Sequence, residues 1–149
     1  MLEPRGNQLF MENDKSVSFA KKLVKNYKSK YNTSFQLHQP YKLTKCFDGE
    51  YGFENSQWPC NGKAGVYLIL SDDDEVVYVG QTKSFGYRFY QYFKDDNGTC
   101  VPRSPYWTKT PKTIVAIPAP NDAKYERLSL EEYLIENLNP CDNTRGKRE

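Results

Sequence analysis

Three tyrosines and an arginine stand in this chain at spacings that let a hairpin and a helix gather them. Gly65-Val-Tyr67-Leu-Ile-Leu70 and Glu75-Val-Val-Tyr78-Val-Gly80 are apolar, β-branched runs split by Ser71-Asp-Asp-Asp74. That is the pattern of two strands and a polar turn. With an even-numbered loop, Tyr67 and Tyr78 share a sheet face, directly opposite or one diagonal apart. An odd loop without a bulge would separate them. Gly80 ends the second run, and Phe85, Arg88, Phe89, Tyr92 and Phe93 then follow at the spacing of one side of a short helix. Phenols donate and accept hydrogen bonds, and the guanidinium is a planar, permanently charged fork suited to a phosphoryl oxygen. The competing reading is structural. Sheet-face tyrosines are commonly half-buried core, and an arginine there pairs with a carboxylate of a later helix.

Gly65-Val66-Tyr67, ten residues, then Tyr78-Val79-Gly80 resembles the hallmark of the GIY-YIG nucleases, with valine in place of each motif isoleucine. Arg88, eight residues after Gly80, stands where that family carries its arginine, and Tyr92 stands at its aromatic or histidine position. Leu130-Glu131-Glu-Tyr-Leu134-Ile135 resembles the family's metal-site helix, and Asn139-Pro140-Cys-Asp-Asn143 the proline-then-asparagine segment after it. Five elements in family order cover roughly residues 63 to 144.

The resemblance implies an α+β fold, a small antiparallel three-stranded sheet flanked by helices, here with an N-terminal helical extension. It implies a metal-dependent DNA endonuclease that leaves 5′-phosphate and 3′-hydroxyl ends. Glu131 would hold Mg2+ or Mn2+, while Glu132 points about 100° away on the helix. Tyr67 would activate or orient the attacking water, Tyr78 would hydrogen-bond the phosphate or Tyr67, and Tyr92 would line the same pocket. Asn143 would tie the chain after the helix to the site. One departure is Gln81, where many relatives carry a lysine; Lys83 stands two residues further on. A restriction-like or phage or mobile-element stand-alone nuclease is expected, with a repair-type nicking enzyme as the alternative. A reading from another class is a nucleic-acid-binding module that keeps the fold without cutting.

The 149 residues suit one domain with an appendage, and 15% aromatic content argues against disorder. A net charge of only +2 means that nucleic-acid contact must come from local patches. No apolar run reaches membrane-spanning length and no apolar leader opens the chain, so a soluble, cytoplasmic protein without a membrane partner is expected. Monomer and homodimer both remain open. Cys46, Cys60, Cys100 and Cys141 lack metal-site spacing, and free thiols are expected.

The expected organisation is an extension over residues 1–62, a nuclease-like domain over 63–144 and a charged tail over 145–149. In the extension, Phe19, Leu23, Tyr27 and Tyr31 mark a helix over about 16–31, after a loose arm. Between Lys15 and Lys30 lie six lysines and no acid, with Lys21, Lys25 and Lys28 opposite the apolar stripe. That face either tracks phosphates or is simply solvated. Residues 32–62 read as an irregular connector with turns, including Phe47-Asp-Gly49. Asp95-Asp-Asn-Gly98 is expected to end the helix that carries Arg88. The loop after it, to about Pro111, carries Arg103 and Lys109 beside Tyr106 and Trp107, a mixture suited to nucleic acid or to aromatics folded onto the core. Thr113–Ile117 reads as a third strand. A last helix, capped by Asn121 or Asp122 and ending near Leu138, would bury Tyr125, Leu128, Leu134, Ile135 and Leu138.

Overall fold

The computed structural model describes residues 14–43, 58–97 and 99–143. The expected N-terminal arm, the Phe47–Gly49 turn and the charged tail lie outside these residues. Helix α1, Val17–Tyr31, is capped by Ser16, whose hydroxyl accepts from the Phe19 amide at 3.2 Å, and stops at Asn32 in the left-handed region. Strand β1 is Tyr41–Lys42, and the hairpin is β2, Gly65–Ser71, with β3, Val76–Thr82. Helix α2, Phe85–Tyr92, leads into β4, Phe93–Asp96, and β5, Thr99–Pro102; then come β6, Pro111–Pro118, and α3, Glu126–Leu138. The main sheet has the order β1-β6-β2-β3, and β4 with β5 forms a separate ribbon. All pairings are antiparallel. The α+β architecture is as the motifs imply, with β1 as an added fourth strand at the β6 edge.

The sheet is buried on both faces. On one, Val66, Leu68, Val79, Val115 and Ile117 meet Phe19, Leu23 and Tyr27 of α1 and Leu130, Leu134 and Leu138 of α3. On the other, Tyr67, Ile69, Val77, Ile114 and Ala116 meet Phe85 and Phe89 of α2, with Phe93 and Trp58. Strand β2 is therefore buried along its whole length, which is why its sequence runs apolar without alternation.

The Arg88 helix does not run to the Asp95–Gly98 stretch. It ends at Tyr92, and the chain enters a strand that keeps Phe93 fully buried while turning Lys94 to solvent. The last helix also differs from its expected form. Asn121–Ala123 is an isolated 3-10 turn, and α3 starts at Glu126 without a side-chain cap. Its buried stripe is Arg127, Leu130, Leu134 and Leu138, whereas Tyr125 is 80% and Leu128 46% exposed. Lys15, just before α1, does not point into solvent alone: its ammonium donates to the Leu138 and Asn139 carbonyls at 3.1 and 2.8 Å, closing the α3 C-terminus. Cys60 and Cys141 keep their thiols, outside any disulfide, as expected, but Cys100 is disulfide-bonded.

Candidate active site

The hairpin geometry decides where the tyrosines point. The Ser71 amide donates to the Glu75 carbonyl at 2.9 Å and Asp74 takes a left-handed φ of 62°, so the loop proper is the odd-numbered Asp72-Asp73-Asp74. An odd loop alone would turn Tyr67 and Tyr78 to opposite faces. A bulge corrects this: Leu70 pairs with Val76 but Ile69 with Tyr78, leaving Val77 as the extra residue. Val77 and Tyr78 consequently both face α2, and Tyr67, paired with Gly80, lies one diagonal from Tyr78.

Gly80 makes this packing possible. A Cβ there would stand 2.5 Å from Tyr67 Cζ and 2.9 Å from Tyr78 Cε2. Across the sheet Tyr67 pairs with Ala116, so its ring lies between two of the smallest residues. Tyr67, Tyr78 and Tyr92 form a triangle with centroid separations of 6.2, 5.8 and 6.0 Å. The Tyr67 hydroxyl donates to that of Tyr92 at 2.9 Å. Burial pushes the Tyr67 phenol far above its ordinary value, and Tyr92 and Tyr78 push the same way against Arg88. Burial raises Tyr78 as well, followed by Tyr92 and Glu131, again opposed by Arg88. Both phenols therefore hold their protons at neutral pH.

Arg88 sits one helical turn before Tyr92. It makes no ion pair among the described residues, and its buried Nε has no hydrogen-bond partner. Glu131 on α3 is half-buried and close enough to raise the Tyr78 phenol. Burial lifts its own carboxyl above the ordinary 4.5; Glu132 adds to this and Arg127 opposes it. Glu132 itself is exposed. Asn143 lies just beyond α3, and its side-chain amide accepts from the Val79 amide at 2.8 Å and donates to the Val79 carbonyl at 2.9 Å. That two-way clamp fixes the residue next to Tyr78.

Among the described residues, no three His, Cys, Asp or Glu side chains gather to hold an ion. A magnesium-type ion needs no such set. It accepts one carboxylate and fills its other positions with water. Glu131, half-buried and only partly compensated, has the chemistry of such a ligand.

The other basic candidates are dispersed. Lys83 is exposed beside α2 and lines a cleft of about 270 Å3 with Arg88. Arg103 donates from Nε to the Tyr90 carbonyl at 2.8 Å and lies 4.8 Å from that ring. Lys109 bonds Glu75 at 2.7 Å and Asp73 at 3.4 Å, so its charge is largely matched on the hairpin loop. Lys21 and Lys25 are exposed and Lys28 half-buried on α1. In the loop before β6, Trp107 packs near Tyr78 and Tyr92, at 5.9 and 6.0 Å between centroids, while Tyr106 is 73% exposed. These aromatics line a second cleft, of about 230 Å3, against the tyrosine triangle.

Arg127 is the site residue that sequence reasoning passed over. It is 5% exposed, its Nε donates to Gln81 Oε1 at 2.8 Å and its Nη1 to the Lys124 carbonyl at 2.9 Å. Its spacing from Leu130, Leu134 and Leu138 was the available signal.

Residues 63–146 match the GIY-YIG catalytic domain family. The chain is similar to UvrABC system protein C of Chlamydia caviae, 37% identical over 79 residues, which are 53% of this chain and 13% of that protein. It is also similar to UvrABC system protein C of Methanosphaera stadtmanae, 31% identical over 81 residues, 54% of this chain and 13% of the relative. The chain thus aligns to only a small part of each of these relatives.

Proposed function

The chain belongs to the GIY-YIG family and is a nuclease, and from that premise we propose a metal-dependent DNA endonuclease that cuts to 5′-phosphate and 3′-hydroxyl ends. The observation that carries this reading is the convergence of Tyr67, Tyr78, Tyr92 and Arg88 from one side of the sheet with Glu131 from the other. Arg88 meets a phosphoryl oxygen, and its partnerless Nε is a donor that such an oxygen satisfies. Tyr67, protonated and hydrogen-bonded to Tyr92, orients the attacking water rather than deprotonating it. Tyr78 donates to the phosphate, and Asn143 keeps Tyr78 in place through Val79. Glu131 would hold Mg2+ or Mn2+, which supplies Lewis-acid stabilisation of the phosphate and the leaving oxygen.

Incubating the purified protein with supercoiled plasmid, with and without magnesium, tests this reading. Magnesium-dependent cutting is expected. Nicked circles would mark a nicking enzyme, and full-length linear product a restriction-like or mobile-element nuclease. DNA binding without any cutting under either condition would instead support the binding-module reading.

Arg88→Lys should lower the single-turnover rate roughly 10²-fold with little loss of affinity, because the charge survives and the fork does not. Reduced affinity with an intact single-turnover rate would reduce Arg88 to a backbone-docking group. Neutralising Lys21, Lys25 and Lys28 together should flatten the dependence of log affinity on log salt by up to about 0.9 for each phosphate no longer neutralised. An unchanged slope would leave that face of α1 merely solvated.

A further inference from the structure

Arg127 carries a charge that no hydrogen-bonded carboxylate neutralises, although Glu131, one turn further along α3, feels it across space. Side chains of this kind are rarely so buried unless paired with a carboxylate. Its two hydrogen-bond acceptors are the amide oxygen of Gln81 and the main-chain carbonyl of Lys124, both uncharged. It makes no ion pair among the described residues. Gln81 precedes the end of β3, and the cleft beside it is lined by Lys83, Ser84, Tyr87, Arg88 and Arg127 with no carboxylate among its walls. Three cations thus converge on one small concavity from two layers of the fold, α2 below one sheet face and α3 above the other. Arg88, whose buried Nε has no hydrogen-bond partner, lines the same cleft.

The ligand that fits is an anion with several acceptor oxygens, extended enough to touch Arg88 and Arg127 together. We propose that Arg127 and Lys83 form a second phosphate subsite that grips the nucleic-acid phosphodiester neighbouring the one held by Arg88, with Gln81 as the residue that positions Arg127. The inference rests on the DNA-substrate reading above. It also accounts for a glutamine at position 81: its amide oxygen aims the guanidinium while leaving its charge available. A carboxylate there would aim it equally well and cancel it.

Two variants of the full chain, assayed for binding to a short DNA duplex across a salt series without divalent ions, test the subsite. Arg127→Met keeps the apolar stem and loses the charge. It should lower low-salt affinity roughly tenfold and flatten the salt slope by about 0.9, the share of a single phosphate. Gln81→Glu should hold or raise the melting temperature, since it ties Arg127 more strongly, yet weaken binding to a similar extent. A purely structural Arg127 agrees on a stable Gln81→Glu protein but predicts wild-type affinity and slope. That result, in a protein whose wild-type form binds and cuts DNA, would overturn the subsite alone. A wild-type protein that neither binds nor cuts DNA would overturn the substrate reading, and the subsite with it. Should Arg127→Met fail to fold, Gln81→Glu still decides.

Discussion

Glu131→Gln is expected to reduce magnesium-dependent cleavage by at least about 10³-fold while leaving the fold intact. Lewis-acid assistance to phosphoryl chemistry contributes several kcal/mol, and each 1.36 kcal/mol is about tenfold in rate. Glutamine preserves shape and removes the negative charge that would hold the ion. Stability should move the other way. Burial raises the Glu131 carboxyl in the folded protein, so the folded state binds the proton more tightly than the unfolded state. The wild type therefore loses stability as pH rises from about the ordinary 4.5 through the raised folded value, and carries that cost at neutral pH. Glu131→Gln should melt no lower than wild type at pH 7, with the difference vanishing at pH values below the carboxylate range. Substantial magnesium-dependent cutting by this variant would move the ion elsewhere, with Glu132 and Glu136 the first positions to examine.

Tyr67→Phe removes one oxygen from a side chain that is 1% exposed, and should lower the single-turnover rate about 10²-fold. What separates its two conceivable roles is the pH profile. A phenol serving as base would need to be ionised near working pH, against the burial that pushes Tyr67 far upward. A proton-holding phenol orients water and leaves the profile to other groups, so the limbs of the wild-type curve should survive in Tyr67→Phe. Disappearance of the alkaline-rising limb in the mutant, with a loss nearer 10⁴-fold, would restore the base role. Full activity would remove Tyr67 from the mechanism. The lost Tyr67–Tyr92 hydrogen bond should cost about 1 kcal/mol of stability, small enough to keep the assay clean.

Periodicity and turn chemistry made the central elements legible: the apolar runs of β2, β3 and β6, the short α2 and the α1 stripe. They did not reveal how the chain corrects a three-residue loop. The Val77 bulge comes from packing of both β3 faces, Val76 and Val79 toward α1 and α3, Val77 and Tyr78 toward α2. No local signal marks such a choice. Strand β1 was hidden for a related reason. Tyr41–Lys42 is too short to show alternation, and only pairing with Ile114 and Thr113 makes it a strand. The α3 stripe differs from its apolar pattern because Arg127 is charged. Such a pattern favours Leu128, whereas the fold buries the arginine and lets Gln81 and Lys124 take its donors. The tyrosines and Arg88 were readable as a cluster because hairpin and helix are adjacent in sequence. Gln81 and Arg127 lie 46 positions apart, and their meeting is a tertiary fact.

The clamp from Asn143 to Val79 has a second consequence, for solution behaviour. Strand β3 is the outer strand of its sheet, so Val79 offers its amide and carbonyl outward, as an invitation to a strand from another molecule. Asn143 occupies both groups with one side-chain amide, and two positions away the Asp142 main-chain amide donates to the Val77 carbonyl at 2.9 Å. The segment after α3 thereby acts as a protective hem along the sheet. The residues that hold Tyr78 in register also fill the Val77 and Val79 edge groups that a strand from another molecule would need.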